Sequence, residues 1–290
     1  MSWEQPRRFL ACRGELDEAT AVIFGAPLDA TISYRPGARF GPARIREVSG
    51  VLEEYSPILD ADLCSARVCD IGDIVLPLGN VPAALGMIEA CVRGIVRLGP
   101  VPVMLGGEHL VTLAAVKAVA SQFPGLKVVH LDAHADTREE YLGERLSHAT
   151  VMRRVGEIVG RDNVFHLGIR SGTREEYLDI AEGRLLSGDL KDSLASVVDM
   201  LGASPAYVTV DIDVLDPAYA PGTGTPEPGG ATSGELLGAV SLLKHLNVAG
   251  FDLVEVAPPY DHSDITAIAA AKVVREVVLA LELRRRGRGA

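Results

Sequence analysis

Seven short runs of the chain are apolar at nearly every position: 21–26, 68–71, 101–105, 127–131, 164–169, 207–212 and 249–256. They are rich in Val and Ile and lack polar alternation. That pattern predicts strands covered on both faces, as in a parallel sheet with crossover helices. The segments 81–98, 110–123, 149–160, 233–246 and 265–283 have helix-forming composition with apolar residues at helical spacing. No repeat, low-complexity tract or linker interrupts the series. The stretch Gly222-Thr-Gly-Thr-Pro-Glu-Pro-Gly-Gly230 reads as a rigid loop rather than a boundary. The economical architecture is one α/β domain over 1–290, with helices on both faces of a mainly parallel sheet. Residues 1–19 form an N-terminal extension and 286–290 a polar tail.

Polar residues break this pattern at four places, each at the carboxyl end of a predicted strand. Gly106-Gly-Glu-His109 follows 101–105. Leu131-Asp-Ala-His-Ala-Asp136 closes 127–131, Val210-Asp-Ile-Asp-Val214 closes 207–212, and Glu255 ends 249–256. Ligands of such sheets sit beyond the carboxyl ends of the strands. Isolated carboxylates buried there would cost several kcal/mol each unless a positive group offsets them.

The spacing suggests what that group is. Asp132, His134 and Asp136 lie at i, i+2 and i+4, which in extended chain places them on one side; Asp211 and Asp213 share a side in the same way. With His109 this gives four carboxylates and two imidazoles. Mixed carboxylate and histidine ligation suits hard to borderline divalent ions such as Mn²⁺, whereas thiolates would favour Zn²⁺. Four carboxylates exceed the needs of one catalytic ion and suit a pair with shared ligands, roughly 3.5–4 Å apart. Asp216, beside Pro217, reads instead as a turn residue. His130, His166 and His245 read as hydrogen-bonded core residues.

Composition narrows the class. At 290 residues and 48% hydrophobic, the chain can fill one large core. The net charge of −11 argues against a nucleic-acid binder. Cys12, Cys64, Cys69 and Cys91 form no Cys-x-x-Cys pair and no disulfide framework. The start lacks the apolar segment of a signal peptide, and no apolar run is long enough to span a membrane. A cytoplasmic protein without membrane or nucleic-acid partners is the expectation.

Four separated stretches, in order, resemble the ureohydrolase family of arginases and agmatinases: Gly106-Gly-Glu-His109, His130-Leu-Asp-Ala-His-Ala-Asp136, Val210-Asp-Ile-Asp-Val-Leu-Asp-Pro217 and Asp252-Leu-Val-Glu-Val-Ala-Pro-Pro259. The loops Ser33–Arg46, Pro221–Gly230 and Glu255–Asp261 are more similar to bacterial agmatinases than to arginases. Glu108 stands where Asp is common in the family, and Ala135 where Thr is common.

The resemblance implies a three-layer α/β/α sandwich, a homo-oligomer (trimer or hexamer) and two Mn²⁺ per subunit. His109, Asp132, Asp136 and Asp211 would hold one ion; His134, Asp132, Asp211 and Asp213 the other. The small cationic guanidino substrate would be agmatine, cleaved to putrescine and urea. Guanidinobutyrate, guanidinopropionate and arginine are the alternatives, decided by loops 28–40 and 137–146 and the rim after Glu255. Arg35, Arg39 and Arg138 there could meet a carboxylate. Asp136 would move the proton, Glu255 anchor the guanidinium, His148 act as proton shuttle or amine contact, and Thr225 hydrogen-bond the substrate. Remoter readings are a non-catalytic metal-binding protein of this fold and a single-zinc deacetylase-like hydrolase.

Overall fold

The structure, a computed structural model, describes residues 3–4, 8–10, 12 and 14–288. Eleven strands form among them: β1 (Trp3–Glu4), β2 (Ala21–Ala26), β3 (Tyr55–Ser56), β4 (Ala61–Asp62), β5 (Val68–Ile74), β6 (Val101–Gly106), β7 (Lys127–Leu131), β8 (Val164–Leu167), β9 (Leu185–Leu186), β10 (Pro205–Asp211) and β11 (Asn247–Val254). All except the small hairpin β3–β4 join one sheet in the order β1-β5-β2-β6-β11-β10-β7-β8-β9. Only β1 runs antiparallel to its neighbour.

Helices cover both faces. Alternate strand residues such as Val22, Phe24 and Met104 face α2 (Val81–Leu98), α3 (Val111–Ala120) and α4 (Val151–Val159). Their neighbours Ile23, Val103, Leu105, Val208 and Val210 face α1 (Gly41–Ser49), α6 (Leu190–Leu201), α7 (Ser233–Val240) and α8 (Ile265–Arg288). A short α5 (Arg174–Asp179) follows β8. This is the expected three-layer α/β/α sandwich.

Where the chain punctuates itself, boundaries match expectation. Helix α2 spans the predicted 81–98 because Asn80 caps Ala83 N–H at one end and Gly99, at φ 105°, closes the other. Elsewhere tertiary context moves the ends. β8 stops at Leu167 because Gly168 turns the chain at φ 85°. α7 ends at Val240 and continues as a 3-10 turn, leaving His245 exposed rather than in the core. Helix α8 runs through Arg288, so residues 286–288 of the expected tail are helical; Gly289 and Ala290 lie outside the described residues. Within the expected N-terminal extension, Trp3–Glu4 pairs with β5. All four cysteines are free, and no described helix is long and apolar enough to cross a membrane.

One buried ion network ties α1 to β5. Arg46 Nε and Nη2 donate to Asp70 at 2.8 and 3.0 Å, and Nη1 donates to Asp73. Asp70 also accepts the Phe9 and Gly72 backbone N–H groups at 2.8 and 3.1 Å.

Candidate active site

The four polar interruptions converge because their strands are consecutive in the sheet and end level. Leu105, Leu253, Val210 and Leu131 form one row across β6, β11, β10 and β7. The next position on each strand carries Gly106, Val254, Asp211 and Asp132. After β6 the chain must pass loop 28 closely: a Cβ on Gly107 would sit 1.9 Å from the Leu28 carbonyl oxygen. Gly107 and Glu108 N–H donate to the Ala26 and Leu28 carbonyls, which aims His109 inward.

His109 Nδ1 lies 3.0 Å from Asp132 Oδ2, 3.3 Å from Asp136 Oδ2 and 3.4 Å from Asp211 Oδ2. His134 Nδ1 lies 3.0 Å from Asp213 Oδ2 and 3.6 Å from Asp132 Oδ1. All six residues named from the sequence therefore meet, with Asp132 offering one oxygen toward each imidazole. Two of their atoms, His109 Nδ1 and Asp213 Oδ2, are buried without an aligned hydrogen bond. Ring nitrogens and carboxylate oxygens pointed at a common space, one of each unpaired, are the donor set a divalent cation takes.

The protonation pattern carries the same strain. Burial pulls His109 down, but Asp132, Asp136 and Asp211 more than offset it and hold the imidazole well above its usual range. Asp132 and Asp213 likewise outweigh burial at His134 and raise it to about 12. Burial, then Asp213 and Asp132, push Asp211 well up; burial and Asp132 raise Asp213. Asp132 moves the other way, because His130, His109 and His134 outweigh its burial. So many carboxylates share this space only if protons or other cations neutralise them.

A cavity of about 350 Å³ opens over the cluster, lined by His109, His134, Asp136 and Asp211 and by Glu255, His148 and Thr225. Glu255 is 5% exposed, and no Arg or Lys among the described residues reaches ion-pair distance of it. Its Oε1 accepts the His109 N–H at 2.7 Å. Burial holds its carboxyl well above the usual range. Glu255 and Asp136 adopt φ of 65° and 53°, a region costly for non-glycine residues and concentrated at functional sites. His148 opens a 3-10 turn capped by Ser147, so it is both a helix-start residue and a cavity residue. Burial lowers its pKa.

Several supporting residues are not evident from the sequence. His109 Nε2 meets Thr209 Oγ1 at 3.0 Å, and Thr209 and Tyr207 join Thr112 around the buried Asp252. Asp252 interrupts β11 just as Glu255 ends it, which is a readable signal. His130, expected in the core, is buried there, and its Nε2 also donates to Asp132 Oδ2 at 2.7 Å. Thr31 links two more residues: its N–H and hydroxyl donate to Glu108, and its hydroxyl accepts the His148 N–H at 3.0 Å. Asp216 pins a turn, accepting from Ala218, Gly229 and Gly230.

The Arginase family pattern matches residues 19–280. The chain is 51% identical over 275 residues to the agmatinase of Bacillus anthracis, covering 93% of this chain and 95% of that one. It is 50% identical, with the same coverage, to the agmatinase of Bacillus subtilis (strain 168). The solved agmatine ureohydrolase of Thermoplasma volcanium superposes with a TM-score of 0.83 at 30% identity, over 98% of this chain and 97% of that one. With the level strand ends, the His/Asp cluster and a family match from Ala19 to Ala280, this chain belongs to the arginase family.

Proposed function

We propose that the protein is an agmatinase that hydrolyses agmatine to putrescine and urea, with two Mn²⁺ ions per subunit held by His109, Asp132, His134, Asp136, Asp211 and Asp213. The observation that carries the reading is Glu255: a buried carboxylate facing the cavity beside the cluster, without an Arg or Lys partner among the described residues. A planar guanidinium supplies the missing cation through two parallel hydrogen bonds. The identity of about 50% to Bacillus agmatinases supports agmatine as the guanidino compound.

Two divalent ions bound at the cluster would activate a water molecule at neutral pH and offset the charge that develops at the attacked carbon. The chain supplies the rest. Glu255 holds the guanidinium so that its carbon faces the cluster. Asp136 takes the proton released on attack and returns it to the departing nitrogen, general acid–base work typically worth about 10²–10⁴-fold. His148, kept neutral by burial, exchanges the proton of the amine product. Thr225 hydrogen-bonds the bound guanidino group. We propose the same reading for the whole of residues 1–290 as one domain, in a cytoplasmic trimer or hexamer that serves polyamine synthesis; its support is the likeness to the family.

The test is urea release with Mn²⁺ from agmatine, arginine, guanidinobutyrate and guanidinopropionate. Agmatine is expected to give the highest kcat/KM; faster turnover of any of the others overturns the substrate assignment. The contact from Thr209 to His109 gives a second expectation. Thr209→Val should weaken Mn²⁺ binding about 10–100-fold, as loss of a hydrogen bond behind a ligating imidazole does. Titration of metal-free protein reads this directly, and an unchanged affinity would remove Thr209 from the site.

A further inference from the structure

The cavity mouth carries a charge arrangement that bears on the far end of the substrate. Among the described residues lining the cavity, Arg138 is the one Arg or Lys. It is not available as a free cation. Its Nε donates to Glu176 Oε2 at 3.2 Å, and its guanidinium stacks 4.9 Å from the Tyr141 ring centre. Tyr141 in turn meets His148 edge to face at 5.7 Å. Glu176 also lines the cavity, is nearly buried, and is fixed by accepting the Thr173 N–H at 2.8 Å. Thr137 Oγ1 donates to the Glu176 carbonyl at 3.2 Å, so the 137–146 loop and α5 hold this pair from both sides. The other two arginines named from the sequence do not line the cavity. Arg39 pairs with Asp29 at 3.1 Å, and Arg35 stacks on Tyr34 and Tyr260.

We propose that Glu176 is a specificity-determining residue: by neutralising Arg138 at the cavity mouth, it denies a counter-ion to substrates that end in a carboxylate and leaves the site to those that end in an ammonium. This rests on the reading of the protein as a guanidino hydrolase. Agmatine and 4-guanidinobutyrate share a guanidinium and nearly the same chain length but carry opposite charges at the far end. With the guanidinium anchored at Glu255, discrimination between them falls on the groups at the mouth. A carboxylate arriving there must either compete with Glu176 for Arg138 or stay without a counter-ion beside the Glu176 carboxylate, and both weaken its binding.

The experiment measures kcat/KM for agmatine and 4-guanidinobutyrate with Mn²⁺-loaded wild type, Glu176→Gln and Arg138→Gln. Gln keeps the acceptor that caps α5, since Gln serves in capping boxes. Glu176→Gln uncovers Arg138 and is expected to raise the guanidinobutyrate-to-agmatine ratio by about tenfold or more, mainly through KM, as one unscreened charge near a surface cleft does. Arg138→Gln leaves Glu176 uncompensated and should lower the ratio by a similar factor. A merely structural role would reduce turnover of both substrates alike and leave the ratio unmoved. A ratio within about twofold of wild type in both variants overturns the proposal while agmatine hydrolysis stands; should Glu176→Gln not fold, an unmoved ratio in Arg138→Gln alone overturns it. If wild type hydrolyses neither compound, the functional reading falls and takes this proposal with it.

Discussion

Asp213→Ala is expected to hold one divalent ion per subunit where wild type holds two, and to lose about 10³-fold in kcat/KM, the worth of several kcal/mol of charge stabilisation at an ion. Asp213 is the partner nearest His134, at 3.0 Å, with an Oδ2 atom that makes no hydrogen bond. Without it, His134 faces only Asp132, at 3.6 Å. The group around His109 keeps all its members. The fold should survive, because the structural loss is one hydrogen bond, from Ala133 N–H to Asp213 Oδ1; the buried N–H left without its acceptor costs about 1–3 kcal/mol. Elemental analysis of purified protein reads the ion count, and circular dichroism checks the fold. Two ions with wild-type activity in the variant would refute the assignment of Asp213. A single ion in wild type would instead favour the single-zinc reading, and two ions without any guanidino hydrolysis the non-catalytic one.

The cluster is legible in the sequence because its carboxylates and imidazoles violate a strong local pattern. A strand buried on both faces has no use for Asp132 or Asp211, so carboxylates at the end of such an apolar run mark the site by themselves. The register that levels β6, β11, β10 and β7 is not local, yet the motifs predict it, since all four end on polar residues that must share one rim. The supporting residues are harder to read. Thr209 is an ordinary strand residue, and Glu176 fits the Thr-x-x-Glu capping pattern, so each has a sufficient local account that hides its second contact. Helix α6 escapes the pattern although Leu190, Leu194, Val197 and Leu201 repeat at helical spacing behind the capping Asp189; the glycines and charges around that segment mask the period. Helix α1 begins at Gly41-Pro42, inside a stretch that reads as loop, and what holds it is long-range: Arg46 reaching Asp70 and Asp73.

That buried network carries a large stability effect for a single substitution away from the site. Arg46 is 1% exposed, and Asp70 is 5% exposed. Arg46→Met keeps the volume of the stem but removes the guanidinium from two buried carboxylates, which typically costs about 3–5 kcal/mol. Desolvation was tolerable for these acids only while the cation stood between them; part of the cost returns as protonation of a carboxylate instead of unfolding. Combining Arg46→Met with Asp70→Asn and Asp73→Asn removes the stranded charges and should recover much of the loss, but not all of it: Asp70 accepts the Phe9 N–H on one oxygen and the Gly72 N–H on the other, and Asn keeps only one acceptor. Urea denaturation followed by circular dichroism measures both, with the midpoint falling in the single variant and rising again in the triple. A midpoint in Arg46→Met equal to wild type would show that α1 is held to β5 by apolar packing of Ile45 and Val48 alone. A triple variant no more stable than the single one would show that the hydrogen bonds of Arg46, rather than the charges left behind, carry the effect.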